Sequence, residues 1–164
     1  MSVNKYLPHI LVLPEDKADS DIANGFLLHP QLNDRSIQIL SPAGGWKAVV
    51  DKFEKSYVTT MLQHLNRYIV LLIDFDEKED RFEYINQRIP DNLKSRVFIL
   101  GIFAEPEDLK KTLKKSFESI GETLAISCAN NTSELWEHDL LKHNKPELER
   151  MISSVKPFLF NQAR

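Results

Sequence analysis

The sequence predicts a three-layer α/β fold, a mainly parallel four-stranded sheet covered by helices, with a helical C-terminal extension. Three observations predict it. Short apolar runs alternate with amphipathic stretches through the first two thirds of the chain, the signature of βαβ units. The run Tyr68-Ile69-Val70-Leu71-Leu72-Ile73 is apolar without alternation, as in a strand covered on both faces. Beyond residue 104 no strand pattern recurs and every segment reads as helix. Residues 1–104 are therefore the α/β core and 105–164 an extension packed on it, together one domain of 164 residues.

In order, a strand is expected over residues 9–13, and a helix over 17–28 with Ala18, Ile22, Ala23 and Phe26 on one face. A second strand over 36–40 runs into the turn Ser41-Pro42-Ala43-Gly44-Gly45, whose glycines permit positive φ. Trp46 opens a long helix on which Val49, Val50, Phe53, Tyr57, Met61 and Leu65 recur at three- and four-residue spacing. The third strand carries the apolar run, a helix over 79–88 is closed by Ile89-Pro90, and the fourth strand covers 96–102. Helices are expected over 105–119, 122–129, 133–142 and 146–155, with Pro146 suited to a first turn. The apolar tail, residues 156–160, is expected to dock on the body.

Composition narrows the function. Apolar residues are 42% and charged residues 27%, ordinary for a folded chain with a real core. A net charge of −3, from 21 basic and 24 acidic residues, argues against a strongly cationic nucleic-acid or membrane binder. The single cysteine, Cys128, allows no internal disulfide and fits a reducing cytoplasm. The opening residues lack the apolar core of a signal peptide, and the aliphatic run over 69–73 is far short of the ~20 residues that span a bilayer. No membrane contact is expected.

Chemistry is expected where acids follow strands. Asp74 and Asp76 end the third strand, and a period of two puts them on one side of the chain. Glu15 and Asp16 end the first strand, and ligands of open α/β sheets bind at that carboxyl edge. Carboxylates brought together there repel one another unless a cation neutralises them, and hard oxygen ligands suit Mg²⁺ or Mn²⁺. The amides of Gly44 and Gly45, ahead of a helix, offer a phosphate-binding turn.

Glu15 after strand one, the glycine turn after strand two and Asp74-Phe75-Asp76 after strand three occur in an order that resembles the Toprim domain of topoisomerases, primases, overcoming-lysogenization-defect nucleases and recombination-repair proteins. The resemblance covers residues 10–102. It implies Glu15 as acid/base or third ligand, Asp74 and Asp76 as ligands of one or two Mg²⁺ (or Mn²⁺) ions, and Arg81 as a phosphate contact, with Glu79 beside it. It implies phosphodiester cleavage or nucleic-acid processing, in bacterial DNA processing or phage defence, with a protein partner such as an ATPase; self-association stays open. The chain departs from the pattern where Asp16 replaces the usual glycine after the glutamate. Two other readings compete. A receiver-like phosphoacceptor domain would use Glu15-Asp16 and Asp74, and a catalytically silent scaffold would bind a partner only.

Blander roles fit the remaining features. Glu105, at the edge after strand four, reads first as a helix cap and second as a spare ligand. Lys110, Lys111, Lys114 and Lys115 read as a solvated helix face that could track a phosphate backbone. His138 and His143, five apart, do not share a helix face, so they make a poor zinc pair, though one could serve as a proton donor. Cys128 has no basic neighbour and reads as structural, and Trp46 and Trp136 as core or interface anchors.

Overall fold

The computed structural model describes residues 3–132 and 134–161. Four strands, β1 (His9–Pro14), β2 (Ile37–Ile39), β3 (Arg67–Asp74) and β4 (Val97–Ile102), form one all-parallel sheet in the order β2-β1-β3-β4. Register pairs Pro14 with Leu72 and Asp74 with Ile102, so the carboxyl ends of β1, β3 and β4 lie side by side. After β2 the chain returns to the far side of β1, and the order reverses between β1 and β3. In doubly wound sheets that is where a crevice opens.

The strands divide their side chains with a period of two. Leu11, Leu13, Ile69, Leu71, Ile73, Val97 and Ile99 face one layer of helices, α2 (Trp46–Lys52), α3 (Val58–Gln63) and α4 (Asp80–Asn86), through Val49, Val50, Met61 and Ile85. Ile10, Val12, Val70, Phe98 and Leu100 face the opposite layer, which contains α1 (Lys17–Phe26), α5 (Pro106–Leu113), α6 (Phe117–Asn130) and α7 (Lys145–Leu159). The C-terminal third is thus the second cover of the sheet. Leu159 and Phe160 are buried, and Phe160 bridges to Leu32, so the tail docks as expected.

Two glycines fix where α1 lies. A Cβ on Gly25 would strike the Glu118 carbonyl, and one on Gly121 would strike that of Ile22, so α1 and α6 meet backbone to backbone. Apart from shifts of a few residues at the ends of α1, α4 and α7, the helices differ from expectation in three places. A π-helical segment, Phe53–Tyr57, separates α2 from α3; the helix ends at Gln63, leaving Leu65 77% exposed. Lys114 turns left-handed (φ 54°), and the Ser116 side chain caps a new helix by accepting from Ser119 N, so residues 105–119 are not one helix. Residues 134–141 form turns rather than a helix; the start of that expected helix, Ser133, lies outside the described residues. There His138 Nδ1 accepts the Leu140 N–H, a donor that a helix would spend on a backbone carbonyl.

Candidate metal centre

Asp16 caps α1, its side chain accepting from Asp19 N at 3.0 Å. That cap starts the helix directly after β1 and places Asp19, four residues after Glu15, on the face shared by Ile22 and Ala23. Glu15 reaches across to β3, where its Oε2 accepts the Asp74 backbone N–H at 2.6 Å. One carboxylate oxygen each from Glu15, Asp19 and Asp74 then lie within 4.8 Å of one another, all three residues buried, at the β1/β3 switch point.

The electrostatics are those of an uncompensated acidic pocket. Asp19 is 1% exposed, and its two oxygens and Asp74 Oδ1 are buried without a hydrogen-bond partner among the described residues. Burial, then the charge of Asp74, pushes the Asp19 carboxyl up to about 11. Burial, then the charge of Glu15, pushes Asp74 up to about 8. Glu15 is also raised by burial, opposed by the N–H it accepts from Asp74. In each case burial is the main cause, because it disfavours the charged form. Three carboxylates, two of them with buried oxygens that lack a hydrogen-bond partner among the described residues, are a donor set that fits Mg²⁺ or Mn²⁺.

The other expected residues lie around this triad in different roles. Asp76 was expected beside Asp74, but β3 ends at Asp74 and the chain enters a left-handed turn, Asp76 at φ 51° and Glu77 at φ 57°, where a period of two no longer holds. The Asp76 side chain is half exposed and meets Arg81 Nη2 at 3.5 Å and Lys78 Nζ at 3.9 Å, outside the triad. Arg81 donates through Nη1 to the Asp74 carbonyl, and its guanidinium lies 4.9 Å from the Trp46 ring centroid, which in turn meets Tyr84 edge-on at 5.2 Å. It clamps the turn after β3.

Gly44 and Gly45 do adopt positive φ, yet their N–H groups donate to the Glu15 carbonyl at 2.9 and 3.3 Å. The turn holds Glu15 in place instead of presenting free amides to a phosphate. Glu105 is the N-cap residue of α5, its N–H donating to Asp108 at 3.3 Å, as the capping role anticipated. Glu79 precedes α4 as its N-cap. His143 packs on Phe75 and Phe103, with ring centroids 4.9 and 5.3 Å away, and burial lowers its pKa to about 4, leaving it neutral at physiological pH. Burial raises the Cys128 thiol to about 12, consistent with a structural residue.

Asp19 is the residue that sequence reasoning missed. The signal was its spacing of three, four and seven residues from Ile22, Ala23 and Phe26, which puts an acid on the buried face of a helix. Comparison with protein-family models, curated proteins and solved structures returns no match for this chain. Among the described residues, no helix is long and apolar enough to cross a membrane.

Proposed function

We propose that Glu15, Asp19 and Asp74 hold a divalent cation, Mg²⁺ or Mn²⁺, and that the chain is a Toprim-like protein that cleaves phosphodiesters. The observation that carries this reading is the meeting of three buried carboxylates, two of them with oxygens that have no partner among the described residues, at the switch point of a parallel sheet. A cation held by these carboxylates would supply Lewis acidity toward a phosphoryl oxygen and lower the pKa of a water it binds. Glu15 fixes the position of Asp74 through its N–H with one oxygen and keeps the other for orienting or deprotonating a water. Arg81 holds the β3 turn through the Asp74 carbonyl, and its guanidinium, 3.5 Å from Asp76, is the positive group beside the triad that a phosphate would meet. Asp76 serves from the rim, so its loss costs less than the loss of Asp19 or Asp74. Nucleic acid is the substrate class in this reading, with a protein partner such as an ATPase.

The test is melting of the full chain with and without millimolar Mg²⁺ or Mn²⁺, followed by cleavage assays on plasmid and single-stranded DNA. A cation-dependent rise in Tm and cleavage, both lost in Asp74→Ala and Asp19→Ala, are expected. Cleavage that survives in a folded double variant would end the assignment. One observation favours a second reading: Asp74 closes β3 with Glu15 and Asp16 after β1, an arrangement that also suits a phosphoacceptor. Labelling of Asp74 by a small acyl phosphate, without DNA cleavage, would select it.

A further inference from the structure

Tyr6, Leu7, Leu62 and Leu65 are 79, 59, 50 and 77% exposed, and all four stand at the amino edge of the sheet, the pole opposite the triad. They belong to the stretches of chain that lead into β1 and β3, and hydrogen bonds join those stretches. Asn66 Nδ2 donates to the Tyr6 carbonyl at 3.2 Å, and His9 N to the Asn66 carbonyl at 3.1 Å. The stretch leading into β2 is held to them where Asn4 N donates to the Arg35 carbonyl at 3.2 Å. Across residues 4–8, 33–36 and 62–67 the bases are Lys5, Arg35 and Arg67, and the one acid is Asp34. His64, among them, is held below the usual histidine range by desolvation and then by the charges of Arg67 and Lys5. The stretches that follow the strands, residues 15–19, 74–80 and 103–108, are dominated by carboxylates. The net charge of −3 therefore conceals a charge polarity along the strands, over about 20 Å for the six residues of β1.

We propose that the amino pole docks on a bilayer carrying anionic lipid, with Tyr6, Leu7 and Leu65 entering the interface and Lys5, Arg35 and Arg67 meeting the headgroups. Exposed apolar side chains gathered on one face and rimmed by charge mark a protein or membrane contact, and here charge decides between the covers. A second copy of the chain would set Lys5, Arg35 and Arg67 against like charges, which is repulsive. A broad negative plane attracts the basic pole and repels the acidic one, so it orients the whole molecule, whereas a small acidic partner would meet only part of the face. Tyr6 suits headgroup depth, an aromatic body with a polar tip and with Lys5 Nζ 5.9 Å from its ring centroid. Docked in this way, the chain keeps the triad facing water on the far side. The expectation of no membrane contact rests on net charge and on span length, and neither resolves a charged pole. The inference does not rest on cation binding by the triad.

The test is co-sedimentation of the full chain with phosphatidylcholine vesicles, with and without phosphatidylserine, in excess chelator so that no divalent ion bridges the acidic pole to lipid. Binding only to the vesicles that contain phosphatidylserine is expected, falling about tenfold or more in molar salt. Reversing one charge, as Lys5→Glu or Arg35→Glu, should weaken it about fivefold or more. Tyr6→Ser combined with Leu65→Ser should weaken it several-fold at unchanged charge, and because these side chains are exposed the variant should melt as the parent does. Asp19→Asn, which alters the triad, should bind vesicles like the parent, so the two readings fail separately. Absence of vesicle binding at low salt overturns the proposal and leaves the face to an acidic protein partner. Equal binding by the folded Tyr6→Ser, Leu65→Ser variant overturns it too. A dimer seen by sedimentation velocity without lipid, and dissolved by Leu65→Ser, would overturn it by giving the face to a second copy.

Discussion

A carboxyl at 1% exposure with neither oxygen bonded among the described residues, such as that of Asp19, weakens a fold that holds no cation. The folded pKa values of Asp19 and Asp74 lie above their unfolded ones. Their contribution to stability is therefore whole below about pH 4 and drains away as pH rises, through about 8 for Asp74 and onward to about 11 for Asp19. In chelator, then, the protein should lose stability between about pH 4 and pH 8, and Asp19→Asn should recover on the order of 1–3 kcal/mol at pH 7.5 with no gain near pH 4. The same variant should lose the Mg²⁺-dependent rise in Tm. Urea titrations at both pH values check this, and a destabilised Asp19→Asn would make Asp19 a structural residue. Glu77 poses a related question of strain. It holds φ 57° directly after Asp76 at φ 51°, a region that costs a residue bearing Cβ about 1 kcal/mol. Glu77→Gly should relieve about that much, read as a higher urea midpoint at unchanged slope.

At the scale of elements, the free edge of β4 is closed by side chains from one stretch of chain. Asn144 bonds Gly101 N and O, Glu147 Oε2 accepts from Ile99 N at 2.9 Å, and Arg150 Nη2 donates to Val97 O at 3.0 Å. A spacing of three along α7 matches a spacing of two along β4, about 4.5 Å against 6.6 Å, with the difference in length taken up by the side chains. Asn144→Ala would leave a buried N–H and C=O unpaired and should cost about 2–4 kcal/mol, whereas exposed Lys142→Ala should cost under about 0.5 kcal/mol. Nothing in the residues 144–150 announces this pairing, because it joins groups more than forty positions apart. The sheet itself was legible: period two and uninterrupted apolar runs survive any tertiary context that buries both faces. Glu15 and Asp74 were legible for the same reason, as the residues on which buried strands stop. Asp76 was misplaced because strand periodicity was carried one turn past the strand, and residues 134–141 because a side chain, His138, competes with the helix for a backbone donor.

For the whole molecule, the apparent division at residue 104 is one of pattern and not of stability. The even-numbered strand residues Ile10, Val12, Val70, Phe98 and Leu100 have their cover in Leu148, Met151, Val155 and Leu159 of α7, and α1 has its backbone contact in α6. Removing residues 105–164 would expose one full face of the sheet and unpair β4 at Val97, Ile99 and Gly101 together. It would also free α1, and with it the third carboxylate of the triad. Residues 1–104 alone should therefore not fold: near-ultraviolet circular dichroism should be flat and the amides of β4 unprotected from exchange. The full chain should unfold in one transition, with calorimetric and van't Hoff enthalpies equal. A 1–104 fragment with a cooperative melt would show that α6 and α7 merely decorate a sheet stable by itself. It would also predict that Mg²⁺ binding survives their removal. Loss of both together is what a carboxylate site carried partly on a helix wedged between sheet and extension requires.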